Sequence, residues 1–352
     1  MVERQLPKLH TRVRFPSPAP SRPLLISRRR VLQAVASAAT LVATPRGARS
    51  ENYPARPIRL VIPYTAGGSG DEIGRPWAER MGSLLGTTYI ENMSGAGGAL
   101  GCSVVAREAP DGYSLVLGNV STHAIIPLSS VYPPYDAVGD FRAIYRLITS
   151  ALAFVVHPSL PVDDMRELVA YAKANPGRLS YGTPGAGTGN HLVGEMFKQQ
   201  SGVPDVVHIP YRGIAAATND LIGGQIPLMI AVMSSQLLQL HQAGTLRILA
   251  VTSEKRLRAA PELPTAIESG MPGLRYEGWF GLFAPKGTED AIVDRIAEAT
   301  RKAMADPAFQ EVYRSQGMEP DTDSTPDRFA QLVADDLVRL APIIESIGLK
   351  HG

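Results

Sequence analysis

Val61-Ile62-Pro63-Tyr64-Thr65-Ala66-Gly67-Gly68-Ser69-Gly70-Asp71-Glu72-Ile73-Gly74-Arg75 runs from a short apolar stretch through paired glycines into a segment with helical periodicity. Arg59 to Pro63 reads as a buried strand. Ile73, Trp77, Met81, Leu84 and Leu85 mark one face of a helix that stops at Gly86. A strand that turns on glycine straight into a helix leaves bare backbone N–H groups at the positive end of the helix dipole. Such a corner attracts anions, either the phosphate of a nucleotide or the carboxylate of a free metabolite.

Working outward, the same alternation recurs. Strands are expected at Thr88 to Glu91 and Ser114 to Gly118 around a helix from Gly98 to Glu108. Phe154 to His157 reads as a crossing strand, followed by a helix from Asp163 to Asn175 that ends at Pro176-Gly177. A second set follows: strands at Leu179 to Gly182, Val206 to Ile209 and Leu228 to Val232, interleaved with helices at Asn190 to Ser201, Ala215 to Ile222 and Gln236 to Ala243. Arg247 to Ser253 is a strand that carries the chain back, Gly278 to Ala284 another, and helices over Glu289 to Ala305 and Pro326 to Ser346 close the chain. Strands alternating with helices define an α/β fold, and two such sets joined by crossings near 155 and 250 give two lobes with a cleft between them. Ligands of such sheets sit outside the carboxyl ends of the strands.

Charge narrows the partners. The chain of 352 residues has a formal net charge of +2, but residues 1–50 hold ten Lys or Arg against the single acid Glu3. Residues 51–352 are left with 25 basic and 32 acidic side chains, a formal −7. Nucleic acid, whose binding needs clustered cations, is not an expected partner. The basic excess sits in a leader. Ser27-Arg28-Arg29-Arg30 precedes an apolar run from Val31 to Ala43 and then Ala48-Arg49-Ser50, the form of an export signal cleaved near Ser50. The run is shorter than the ~20 apolar residues that span a bilayer. The paired arginines point to the twin-arginine route, with Val31 where that signal usually has Phe, and an ordinary secretory signal is the alternative. Residues 1–26 read as an upstream extension without fold.

Four segments share the strand, loop, helix form: Tyr64 to Asp71, Gly118 to His123, Gly182 to His191 and Pro210 to Gly213. Their Ser and Thr hydroxyls cap helices and donate to anions. Nucleotide fingerprints fail on spacing: Gly95-Ala96-Gly97 has Leu100 and Gly185-Ala186-Gly187 has Asn190 where a third glycine belongs, and no phosphate-binding loop with Gly-Lys-Ser/Thr occurs. No cofactor is expected. Cys102 is alone and reads as a packed residue. His191 and Glu195 stand one turn apart without a third ligand, so no metal site is expected. No G-x-S-x-G elbow appears. A hydrolase or isomerase working through Asp71 or His123 is disfavoured, because an aspartate at a helix start more simply stabilises the dipole.

These corners resemble the solute-binding proteins of tripartite tricarboxylate transporters, also called Bug proteins, from about Tyr53 to Leu349. The resemblance rests on Pro54 to Pro63 with Gly67-Gly68 and Asp71, Glu91-Asn92 with Gly95 to Gly98, Ala109-Pro110-Asp111-Gly112-Tyr113, Ser180-Tyr181-Gly182 with Gly185 and His191, and His208 to Gly213. Asp220 to Gln225 and Trp279 to Pro285 extend it. It implies a type II periplasmic binding protein fold and a monomeric, non-enzymatic clamp in the periplasm. That clamp closes on a small organic carboxylate and delivers it to the transporter's membrane permease. Lobe one would comprise residues 54–152 and 254–352, and lobe two residues 153–253.

The resemblance also implies the binding residues. One carboxylate would be held by Ala66, Gly67, Gly68, Ser69 and Asp71, helped by Asn119, Ser121, Thr122 and His123. The other end would be held by Thr183, Gly185, Ala186, Gly187, Thr188 and Asn190 with the corner Tyr211, Arg212 and Gly213. Ordered water would bridge part of the contact, as it does nearly as well as a direct bond. Two departures bear on specificity. Ile126-Pro127 stands where the family commonly has Asn-Pro, and Ile230-Ala231-Val232 follows Leu228-Met229 where relatives often carry an acid and a polar neighbour. The expectation is a lining suited to aromatic or aliphatic acids rather than to amino-bearing ones. Delivery to a permease and docking of the loaded protein on a signalling receptor are not separated by sequence.

Overall fold

A computed structural model describes residues 53–350; the extension and export signal expected in residues 1–50 lie outside the described residues. In chain order the elements are β1 (Ile58–Ile62), α1 (Ser69–Leu84), β2 (Thr88–Asn92), α2 (Ala99–Ala106), β3 (Ser114–Asn119), a π-helical turn (Ser121–Ile125) and α3 (Ile126–Ser129). There follow β4 (Phe141–Val156), α4 (Met165–Ala174), β5 (Ser180–Thr183), α5 (Gly189–Ser201), β6 (Val207–Pro210), α6 (Ile214–Ile222), β7 (Leu228–Val232) and α7 (Ser235–Gln242). The chain closes with β8 (Arg247–Val251), β9 (Glu277–Pro285), α8 (Asp290–Met304), α9 (Pro307–Arg314), β10 (Met318–Pro320) and α10 (Pro326–Ser346). Among the described residues no helix is long and apolar enough to cross a membrane.

The strands run in the order β2-β1-β3-β9-β4-β7-β5-β6, with β8 and β10 also paired to β4. Parallel pairing within β2-β1-β3 and within β7-β5-β6 marks the two lobes, each with helices on its faces. In the first lobe the run Ile-Arg-Leu-Val-Ile of β1 buries Ile58, Leu60, Val61 and Ile62 completely. Helix α1 lays Ile73, Trp77 and Met81 on that sheet, and the Trp77 indole donates to Thr300 of α8 at 3.1 Å. In the second lobe Met229 and Ala231 of β7 pack against Ala217 and Leu221 of α6 and Leu237 of α7.

One strand serves both lobes. Residues 141–151 of β4 pair with β9, while residues 152–156 pair with β7, and 153–156 with β8. Only the end of this strand is read from the sequence, as Phe154 to His157. Register shifts between Ala143 and Tyr145 and between Arg146 and Ile148 reset its alternation. Ile144, Tyr145, Leu147 and Ile148 are therefore all buried, a spacing that mimics a helix face. The π-helical turn, α3, α9 and β10 are likewise short elements that the periodicity does not announce. The return path is tied to β4 by one hydroxyl. Thr252 Oγ1 accepts the Leu152 N–H at 2.9 Å and donates to the Tyr276 carbonyl at 2.6 Å. Residues between these points stay with β8: Val251 donates to the Pro264 carbonyl and accepts from Ala266.

Thr252 is fully buried, so Thr252→Val leaves the Leu152 amide and Tyr276 carbonyl without these partners, at a cost of about 2 kcal/mol. Urea unfolding should show a lowered midpoint with an unchanged slope.

Candidate functional site

Between the lobes lies a cleft that leaves about 880 Å³ between its walls, counting the part open to solvent. Its first-lobe wall comes from Tyr64, Thr65, Gly67 to Gly70, Glu72 and Asn119 to Ser121. The second-lobe wall comes from Pro184, Thr188 to Asn190, Ile214, Thr218, Ser234, Gln236 and Leu237. The floor is made where the chain crosses, by Ser150, Leu152, Val232, Tyr276 and Gly278 to Phe280.

Helix starts converge on this space from both sides. The first N–H groups of a helix have no acceptor within it. Gly68, the N-cap of α1, has no side chain to supply one. Gly68 also allows close approach across the cleft, since a Cβ there would lie 3.2 Å from Ile214 Cγ2. On the opposite wall Thr188 caps α5 through the His191 N–H, and Ser234 caps α7 through the Leu237 N–H. The Gly189 N–H donates to Ser121 Oγ at 2.9 Å, a bond from one lobe to the other. None of the described residues lining the cavity is Lys, Arg or His, so any attraction for an anion there falls to main-chain dipoles. One carboxylate, Glu72, shares the wall; its Oε1 accepts from Ser235 Oγ at 3.3 Å, and burial raises its pKa.

A family model described as the tripartite tricarboxylate transporter family receptor matches residues 73–349. The chain belongs to this family. BugT of Bordetella pertussis is 33% identical over 303 residues, covering 86% of this chain and 92% of that one. A UPF0065 protein of the gbd 5′ region of Cupriavidus necator is 37% identical over 319 residues, covering 90% and 95%. The solved periplasmic binding protein BugD is 34% identical with a TM-score of 0.80 over 85% of this chain and 99% of its own. A structure from R. palustris with adipate gives 31% and 0.81, covering 85% of this chain and 99% of its own. The receptor therefore has the type II periplasmic binding protein fold, and as a member of a solute-binding family it is not an enzyme.

Of the residues expected to bind, Gly67, Gly68, Ser69, Asn119, Ser121, Thr188 and Asn190 line the receptor's cavity. Asp71 does not. Its Oδ2 accepts the Gly67 N–H at 2.5 Å and its Oδ1 accepts from Asn92 at 3.0 Å, so the carboxylate shapes the loop from behind. Ala66 is exposed outside the lining. Thr122 supports Asn119: its Oγ1 accepts the Asn119 N–H at 2.9 Å, and Asn119 Oδ1 accepts the Thr122 N–H at 3.1 Å. His123 is fully buried with its ring 3.7 Å from that of Phe283, and burial lowers its pKa to about 3.

The second-lobe loop divides in the same way. Gly185 and Ala186, with Tyr211 and Arg212, line a separate hollow whose other side is Ser94 to Gly98. Thr183 Oγ1 lies beneath it, sharing a 2.6 Å hydrogen bond with His208 Nε2. The Gly187 N–H donates to His191 Nδ1 at 3.3 Å, the Tyr211 hydroxyl donates to Asp220 at 2.7 Å, and Gly213 packs on Thr65. Asn190 lines the cavity but spends its Nδ2 on the Ile230 carbonyl at 2.8 Å. Ile230 and Ala231 are buried in the second lobe, leaving Val232 of that run on the lining. Cys102 is buried, with its thiol pushed up to about 12 by desolvation. Among the described residues no three His, Cys, Asp or Glu side chains gather as metal ligands.

Sequence reading missed Glu72, Ser150, Gln236, Tyr276 and Trp279 as lining residues. Glu72 follows Asp71 directly, and a helical turn carries adjacent residues about 100° apart, so one faces the loop and the other the cleft. The remaining four come from the crossing region and α7, which no loop motif signals.

His123 and His208, both lowered to about 3, the latter by burial first and then by His191 and Lys198, are neutral in the folded receptor. Their unfolded counterparts charge near pH 6.5. Stability is therefore full above about 6.5 and is lost as the pH falls toward 3. Ring resonances of both residues should stay fixed between pH 8 and 5 while denaturant midpoints fall over the acid end of that range.

Proposed function

We propose that the receptor is exported to the periplasm, closes its lobes on a small organic carboxylate and presents it to the membrane permease of a tripartite tricarboxylate-type transporter. The observation that carries this reading is an interlobe cavity edged by helix starts and empty of cationic side chains, which suits an anion small enough to be held by amides. Relatives solved with adipate and, at 27% identity and a TM-score of 0.79, with malate support the same ligand class.

In this reading Gly67, Gly68 and Ser69 face one end of the acid and Thr188 to Asn190 the other, with water completing the contacts. Lobe one holds residues 54–152 and the chain after the return crossing, and lobe two the intervening segment. We put that crossing at Tyr276 rather than near 253, because residues up to Ala266 bond to β8. Arg212 and the neighbouring hollow form the rim of the cleft. The clamp works as a monomer, since closure needs both lobes free.

A thermal-shift screen of the leader-free receptor against mono-, di- and tricarboxylates, aromatic acids and amino acids should yield a hit, because a ligand bound only by the folded state raises the melting temperature. Failure of every organic acid would overturn the reading. Gly97 tests closure. It has φ +65 and a Cβ there would lie 2.7 Å from the Ala186 carbonyl across the rim. Gly97→Val should weaken the hit at least about tenfold by holding the lobes apart, as read by calorimetry.

A further inference from the structure

Glu72 is the one carboxylate among the described residues lining the cavity, and half of it is unused. Oε1 receives the Ser235 hydroxyl from the opposite lobe at 3.3 Å, whereas Oε2 is buried and has no hydrogen-bond partner among the described residues. An acidic residue in the first turn of a helix is ordinarily explained by the dipole, to which it contributes from a fully hydrated position. Here the side chain is instead turned into the cleft, where it loses water and gains only one weak neutral donor. An orphaned carboxylate oxygen in a site otherwise built to attract negative charge needs a donor from outside the chain.

We propose that the receptor's ligand is an organic acid bearing an ammonium group, its carboxylate at the helix starts and its ammonium on Glu72 Oε2. The assignment rests on the carboxylate reading above and narrows it. A zwitterion matches the wall at both ends. A plain dicarboxylate would bring a second like charge into a space where an ionised Glu72 has no cationic side chain to offset it. The zwitterion differs from the ligand class expected from Ile230-Ala231-Val232, since the acid that run lacks is supplied from α1.

Protonation provides an independent readout. Desolvation raises the Glu72 pKa in the ligand-free receptor, opposed by the Ser235 hydrogen bond. An ammonium would favour the ionised form, so its binding expels a proton wherever Glu72 is partly protonated. Affinity for an amino-bearing acid then falls as the pH drops into the Glu72 titration, while affinity for a plain acid, which favours protonated Glu72, rises. The other ionisable groups on the wall, Tyr64 and Tyr276, are both raised by burial and stay neutral throughout. Ser235 and Gln236 of α7 do not titrate, and Asp71 on Glu72's own helix is paired with Arg75 at 3.2 Å.

The test is calorimetry of the leader-free receptor with three matched pairs: butyrate and 4-aminobutyrate, succinate and aspartate, 3-phenylpropanoate and phenylalanine. The expected result is that, in whichever pair binds, the amino member is tighter by at least about tenfold, and that Glu72→Gln removes this preference. As the pH is lowered into the Glu72 titration, the unaltered receptor should lose affinity for the amino member and not for its plain partner. A plain acid bound more tightly than its amino partner, or a Glu72→Gln variant that weakens both members equally, overturns this assignment and leaves the carboxylate reading standing. If none of the six binds although the thermal-shift screen returns a plain acid, the assignment falls and the carboxylate reading stands; if that screen is blank as well, both fall.

Discussion

The binding mode proposed for the receptor depends on one constraint: an anion has to be held by main-chain amides in a cleft whose described walls offer no cation. Amides at a helix start reach a ligand only if nothing bulky precedes them, which is why Gly67-Gly68 precedes α1 with no capping side chain. They can point at one space only if helices from both lobes start there. Parallel strands with their carboxyl ends toward the cleft provide this, since each strand β1, β3, β5 and β7 hands over to a helix or helical turn at its edge. Asp71 and Thr122 then serve as struts. Their hydrogen bonds hold the loops that present Gly67 and Asn119 while their own side chains stay off the lining.

Closure follows from the same economy. The lobes meet through the Gly189 amide on Ser121, the Ser235 hydroxyl on Glu72 and the approach of Gly97 to Ala186. In the proposed clamp, ligand contacts made only when the lobes are together would add to these bonds and decide the balance between open and closed forms. The crossing region is more heavily bonded. It has β4 shared by both lobes and Thr252 bonded to both neighbouring segments.

Much of this was legible in the sequence because the decisive features are local. Glycine corners after apolar runs announce helix starts, and their repetition in two sets announces two lobes. The family follows from several such motifs in order. What was not legible depends on long-range packing. Strand β4 hides behind two register shifts, and the burial of His123 against Phe283 is set by β9, more than 150 residues away in the chain. Loop position alone does not tell whether a polar side chain faces ligand or props its own loop, which is why Asp71, Thr122 and Thr183 resemble the residues that line the cavity. Glu72 shows the converse. The motif marks its neighbour Asp71, while the carboxylate that reaches the cleft is one position on.

The grip by backbone is tested most directly by amide resonances of the ¹⁵N-labelled, leader-free receptor during titration with an organic acid that raises its melting temperature. The expected result is saturable downfield movement of the Gly68, Ser69 and Asn190 amide protons, the shift produced by a new charge-assisted acceptor. Fixed resonances at these three positions, with movement confined to Arg212 and the rim hollow, would contradict it.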